Sequence, residues 1–115
     1  MIDRLFNAID NKDSKAFVSF LAPSCVFRFG NLPPVEGKHE IEKAVNAFFE
    51  SIESLSHELF DVWETPDSKV CHGQVSYTRK NGTVLTIPFA NVLKGKEQNI
   101  TEYLIFADTS KLYEF

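Results

Sequence analysis

Long apolar runs are absent from this chain, and no stretch nears the length that spans a bilayer, so a membrane partner is not expected. Basic clusters are absent too: 12 Lys and Arg stand against 16 Asp and Glu, for a net charge of −4. That balance, with no basic stripe, removes nucleic acid as a partner. Cysteine is scarce. Cys25 and Cys71 lie far apart with no CxxC, so a disulfide is formally open, but two buried free thiols in a reducing cytosol fit better. The three histidines, His39, His57 and His72, have no metal-ligand spacing, so no metal is expected. Gly30, Gly37 and Gly95 are isolated, which leaves no phosphate cradle, and no Ser or Cys has the context of a catalytic nucleophile; no cofactor is expected. The start, "MIDRLFNAIDNKD", carries acids and lacks the apolar core of a signal peptide, so a cytoplasmic location is expected.

What the chain does have is phenylalanine. Eleven Phe accompany a single Met and a single Trp in 115 residues, the length of one domain spanning 1–115. Such an aromatic excess means a bulky core or a lined cavity.

Periodicity divides the chain. Ile2, Leu5, Phe6 and Ile9 fall on one helical face. Asp13 is placed to N-cap a second short helix whose apolar face is Ala16, Phe17, Phe20 and Leu21, with Pro23 as its stop. "CVFRF" reads as a strand. A long helix follows the turn at Gly37, with Ile41, Ala44, Val45, Phe48, Ile52 and Leu55 in helical spacing. The period then changes to two. "HELFDVWE", the two arms around Asn81-Gly82 and "NITEYLIFADT" read as four strands. Helices gathered on one face of a mainly antiparallel sheet make an α+β domain.

Treating Asn81-Gly82 as a two-residue hairpin loop sets Arg79 opposite Val84 and Tyr77 opposite Thr86. On that register Leu85, Ile87 and Phe89 share the face away from Tyr77. A mixed apolar face of this kind predicts a homodimer through the sheet.

The segments "FGNLPPVEGKHEI", "AFFESIESLSHELFDVWE", "VSYTRKNG" and "NITEYLIFAD", in this order over nearly the whole chain, resemble a SnoaL-like domain of the nuclear transport factor 2-like superfamily. The resemblance implies a cone-shaped (cystatin-like) fold, three helices on a curved sheet, with a pocket opening at one end and the Pro33-Pro34 loop on its rim. It also implies a choice among isomerase, polyketide cyclase, hydrolase, ligand-binding and purely structural roles, because fold does not fix function. The isomerase pattern of one Tyr and two Asp falls on Leu5 or Phe6, Phe29 and Ala90, none of which has the needed group, so the steroid-isomerase mechanism is not expected.

Cyclase-like members have an acid after the last strand. Here "EYLIFAD" puts Glu102, Leu104, Phe106 and Asp108 on one side by the period of two. If that side faces the cone, Asp108 is a general base with its pKa raised by aromatic neighbours, and Glu102 orients the ligand. The plainer readings are a turn cap for Asp108 and a salt bridge for Glu102. His57 is an acid–base candidate, or a favourable charge at a helix C-terminus. Tyr77 is a ligand donor or a core tyrosine. Phe27, Phe29, Phe48, Trp63, Val75, Leu104 and Phe106 are the candidate walls for a small apolar ligand. The alternative is a non-catalytic, homodimerising scaffold whose phenylalanines fill the cone.

Overall fold

The computed structural model describes residues 1–114. Helix α1 (Ile2–Asp10) buries Ile2, Leu5, Phe6 and Ile9, the face that its spacing marks out. α2 (Ser14–Val18) begins where Asp13 accepts a hydrogen bond from the Ala16 N–H at 3.0 Å. It is shorter than its apolar spacing suggests. Phe20 and Leu21 are buried, but the backbone is already extending into β1 (Leu21–Phe29). Pro23 therefore lies inside a strand, in the stretch between Leu21 and Val26 where the pairing with β6 is irregular and a missing N–H is tolerated.

After β2 (Val35–Glu36), Gly37 adopts φ +93° and starts α3 (Lys38–Glu50). The helix buries Ile41, Val45 and Phe49. It ends at Glu50, more than one turn before the end that the helical spacing of Ile52 and Leu55 implies. Both are buried, but the chain has left the helix. The Lys12 ammonium donates to the carbonyls of Ile52 and Glu53 at 3.1 and 3.0 Å, holding the exit from α3 against the α1–α2 turn.

Strands β3 (Ser54–Thr65), β4 (Ser68–Thr78), β5 (Val84–Lys96) and β6 (Asn99–Ala107) complete a six-stranded sheet in the order β2-β1-β6-β5-β4-β3. All its pairings are antiparallel except β1 with β6. The three helices pack on its concave face around a core that includes Leu5, Phe17, Ile41, Val75 and Tyr103. The α+β architecture expected from the sequence is the one observed.

Two local features decide which side chains face inward. At the β4–β5 hairpin the loop has three residues. The Arg79 N–H donates to Thr83 O at 2.8 Å, Gly82 N–H donates to Arg79 O at 2.9 Å, and Gly82 takes φ +89°. The extra residue slips β5 by one, so Tyr77 pairs with Leu85, Val75 with Ile87 and Gly73 with Phe89. Every β5 side chain thus changes face relative to the two-residue expectation. Leu85, Ile87 and Phe89 pack toward the core, Phe89 at 3% exposure, and cannot form the outer contact predicted for them.

In β3 the register shifts between Leu59 and Asp61, leaving Phe60 as a bulge. Before it, Leu55, His57 and Leu59 face inward. After it the phase is reversed, and Trp63 turns to the convex side at 57% exposure. Opposite the bulge, a Cβ on Gly73 would fall inside the Glu58 carbonyl oxygen and reach 3.1 Å from Leu59 Cα. Only glycine lets β3 come this close to β4 beside the bulge.

Candidate functional site

Between α3 and the concave sheet lies a cavity of about 130 Å³. Its walls are almost wholly apolar, and two aromatic groups frame it. Phe17, Phe27 and Tyr103 meet with ring centroids 5.1 to 6.1 Å apart. Phe48 lies 4.9 Å from Phe29 and 5.8 Å from Tyr77. Leu32, Pro33 and Val35 contribute the rim, so the stiff Pro33-Pro34 loop borders the opening.

Apart from tyrosine, His57 is the one acid–base side chain in the cavity wall, and its partner lies 47 residues away in sequence. His57 lines the wall from β3, 10% exposed as a side chain, with its ring edge-on to Phe6 and Phe89. Asp10, the last residue of α1, holds it twice: Oδ1 lies 2.6 Å from His57 Nδ1, and Oδ2 accepts the His57 backbone N–H at 3.0 Å. A carboxylate only accepts, so the shared proton belongs to Nδ1. In the neutral ring the lone pair then lies on Nε2. A neutral imidazole held by one nitrogen keeps the other free for proton transfer.

Three more polar groups line the chamber. Tyr77 is 3% exposed, and burial, with lesser contributions from Tyr113 and Asp10, pushes its hydroxyl pKa up. Burial likewise raises that of Tyr103. Asn91, 2% exposed, is the one buried polar or charged side chain in the described residues that is not a tyrosine. Neither Asn91 Oδ1 nor the Tyr103 hydroxyl has a partner at full hydrogen-bond geometry among the described residues, although the Asn91 side chain lies near enough to the Tyr103 hydroxyl to lower its pKa against the larger effect of burial.

Of the residues singled out from sequence, the structure brings together His57, Tyr77, Phe27, Phe29, Phe48 and Val75 around this cavity. It places the others elsewhere. The period of two in β6 is real, but its phase is opposite to the one expected: Tyr103 and Ile105 face the cavity, while Glu102, Leu104 and Phe106 face out, paired with Lys94, Val92 and Ala90. Both alternating sets contain large apolar residues, so the pattern alone does not choose between them. Glu102 forms a salt bridge with Lys94 at 3.1 Å. Asp108 is fully exposed beyond the strand and accepts the Ser110 N–H at 3.0 Å. Hydrogen bonds from Ser110 lower its carboxyl pKa rather than raise it. Asp108 is a turn residue, and it is not poised as a base inside the cone. Trp63 and Phe106 lie on the outer surface.

The spacing of residues alone does not single out Asp10, Asn91 or Tyr103. Asp10 has no local signal, because only the packing of α1 against β3 gives it His57. Asn91 has one: it interrupts the apolar run "IPFANVL" and becomes conspicuous once the hairpin register puts it inward. Among the described residues no three His, Cys, Asp or Glu side chains gather as a metal site. No helix there is long and apolar enough to cross a membrane.

Solved structures share the fold at low identity. A protein assigned as a SnoaL-like polyketide cyclase from Jannaschia sp. CCS1 superposes with a TM-score of 0.82 and 16% identity, over 96% of this chain and 85% of that one. A protein of ketosteroid isomerase-like fold from Catenulispora acidiphila DSM 44928, in complex with trimethylamine, gives 0.83 and 14%, over 91% and 82%. An LEH-like epoxide hydrolase of M. tuberculosis gives 0.80 and 10%, over 98% and 84%. No curated protein matches the sequence significantly. The SnoaL-like domain model matches residues 2–103. With that match over most of its length, and with helices closing a cone-like cavity on a bent sheet, the chain belongs to the SnoaL-like domain family.

Proposed function

We propose that this protein binds a small, mainly apolar molecule in the cavity and acts on it by acid–base chemistry of isomerase, cyclase or hydrolase type. His57 is the proton carrier and Asp10 its positioning residue. The observation carrying this reading is the grip of Asp10 on both the ring and the backbone of His57, which fixes one tautomer beside an apolar chamber. Volume limits the ligand. An engineered apolar cavity of about 150 Å³ takes up benzene, so a chamber of about 130 Å³ suits a compound near one six-membered ring. The structural relatives, a cyclase assignment, a trimethylamine complex and an epoxide hydrolase, agree with small-molecule chemistry in this fold.

The test uses two probes of that size: deuterium exchange at the α-carbon of cyclohexanone in D₂O, and hydration of cyclohexene oxide. The wild type is expected to accelerate at least one. His57→Gln should remove about 10²-fold or more of that acceleration, and Asp10→Asn a smaller part. Equal rates with wild type and His57→Gln would reject the assignment.

A homodimer through the convex face belongs to the same proposal. There the register aligns Trp63, Val70, Val92 and Leu104 across four strands, with Phe106 beside them. The margins differ in charge: Glu58 and Asp61 on β3, Arg28 on β1. A two-fold axis along the strands would set the acidic margin of one copy over Arg28 of the other. A reducing, cytoplasmic setting is also proposed, consistent with Cys25 and Cys71 both being free and buried.

A further inference from the structure

The two partnerless oxygens deepen this reading and rest on it. Asn91 and Tyr103 are 2% and 1% exposed. Asn91 pairs with Ile105, and Leu93 pairs with Tyr103. Asn91 and Tyr103 are therefore diagonal neighbours on the concave face, and both line the cavity. A buried polar atom without a partner is costly. Leu and Phe would fill nearly the same space without that penalty. What the pair offers is chemical complementarity. Asn91 Oδ1 only accepts, while the Tyr103 hydroxyl both donates and accepts.

A single ligand hydroxyl satisfies both, donating to Asn91 Oδ1 and accepting from Tyr103 O–H. A ketone oxygen can accept from the tyrosine O–H but brings no proton for Asn91 Oδ1. A carboxylate likewise has no proton for Asn91 Oδ1, and no Lys or Arg lines the chamber to balance its charge. We infer that Asn91 and Tyr103 form a recognition site for the hydroxyl group of a small neutral ring compound, a phenol or a cyclic alcohol, whose carbon skeleton fills the aromatic room that His57 borders.

The experiment is calorimetric titration of the intact protein with phenol and with toluene, which differ by a hydroxyl in place of a methyl at similar size. Phenol is expected to bind about 10-fold tighter than toluene, the gain of one well-made hydrogen-bond pair. Asn91→Leu and Tyr103→Phe should each reduce phenol to the affinity of toluene while leaving toluene itself within a few-fold. Both variants should melt at or above the wild-type temperature, since each removes an unpartnered polar group. Equal binding of the two probes by the wild type, or retention of the phenol preference in Asn91→Leu, overturns the hydroxyl site and leaves the cavity reading standing. Binding of neither probe overturns both. Unfolding or a large loss of thermal stability in both variants overturns the inference as well, by showing that these groups hold the fold.

Discussion

Replacing Gly73 by alanine tests how the sheet creates the site. Gly73 sits opposite the Phe60 bulge, and the atoms an added methyl would meet are all backbone: the carbonyl oxygen and carbon of Glu58 and the Cα of Leu59, the last two at 3.0 and 3.1 Å. None can swing aside as a side-chain tip would. Relief requires β3 to move away from β4 by an ångström or so, at the strand that also carries His57. Inserting a methyl into a well-packed region costs about 1–3 kcal/mol, and backbone obstacles put this case near 3. Against that, alanine restricts the unfolded chain and returns about 0.4–1 kcal/mol, because Gly73 does not occupy the positive-φ region.

The net expectation is a loss of about 2 kcal/mol. With a urea m value of about 1.5 kcal/mol/M, the unfolding midpoint should drop by a little over 1 M. Urea denaturation followed by tryptophan fluorescence measures it, with Trp63 as the single reporter. Displacement of β3 should also perturb the imidazole resonances of His57 in NMR spectra. A Gly73→Ala protein as stable as the parent, with His57 signals unmoved, would refute the close approach of β3 to β4.

Asp10→Ala leaves the ring and backbone N–H groups of His57 without their acceptor, and should cost about 1–3 kcal/mol by urea denaturation; no change would show that Asp10 is not holding His57. Burial pushes the Cys25 and Cys71 thiols up from 9.0 to about 11, with Glu102 adding to the first and Glu64 to the second. The unfolded chain releases these protons first, so the stability they carry is intact below pH 9 and declines as pH rises toward 11. Tyr77 and Tyr103, raised in the same direction, extend that decline above about pH 10. Unfolding midpoints that stay flat from pH 8 to 10.5 would contradict this. Phe106→Asp, on the convex face where Phe106 is exposed, should convert a dimer to a monomer in light scattering while leaving monomer stability within about 0.5 kcal/mol; a wild type already monomeric would remove the dimer proposal.

Much of the architecture could be read from residue spacing. The Ile2–Ile9 face, the Asp13 cap, the Gly37 entry to α3 and the period-two strands each depend on neighbours within a turn or a hairpin. The site was less legible because it depends on phase. One extra residue in the Lys80-Asn81-Gly82 loop moved Leu85, Ile87 and Phe89 to the inner face. One bulge at Phe60 moved Trp63 outward. In β6, "EYLIFAD" offers two equally apolar alternations, and packing selected the one with Tyr103 and Ile105. Glu102 and Asp108 therefore lost the cavity, and Asn91 gained it. The Asp10–His57 pair joins elements far apart in sequence, and no short-range rule anticipates it.

Acid–base chemistry in this fold needs an open, greasy chamber with His57 in its wall. Diffraction from crystals pressurised with xenon addresses it directly, since xenon enters apolar cavities of this size. The expected result is a xenon peak bounded by Phe48, Val75, Phe27 and Tyr103, within a few ångströms of the His57 ring. An interior without a xenon peak, in which side chains close the space between α3 and the sheet, would contradict it.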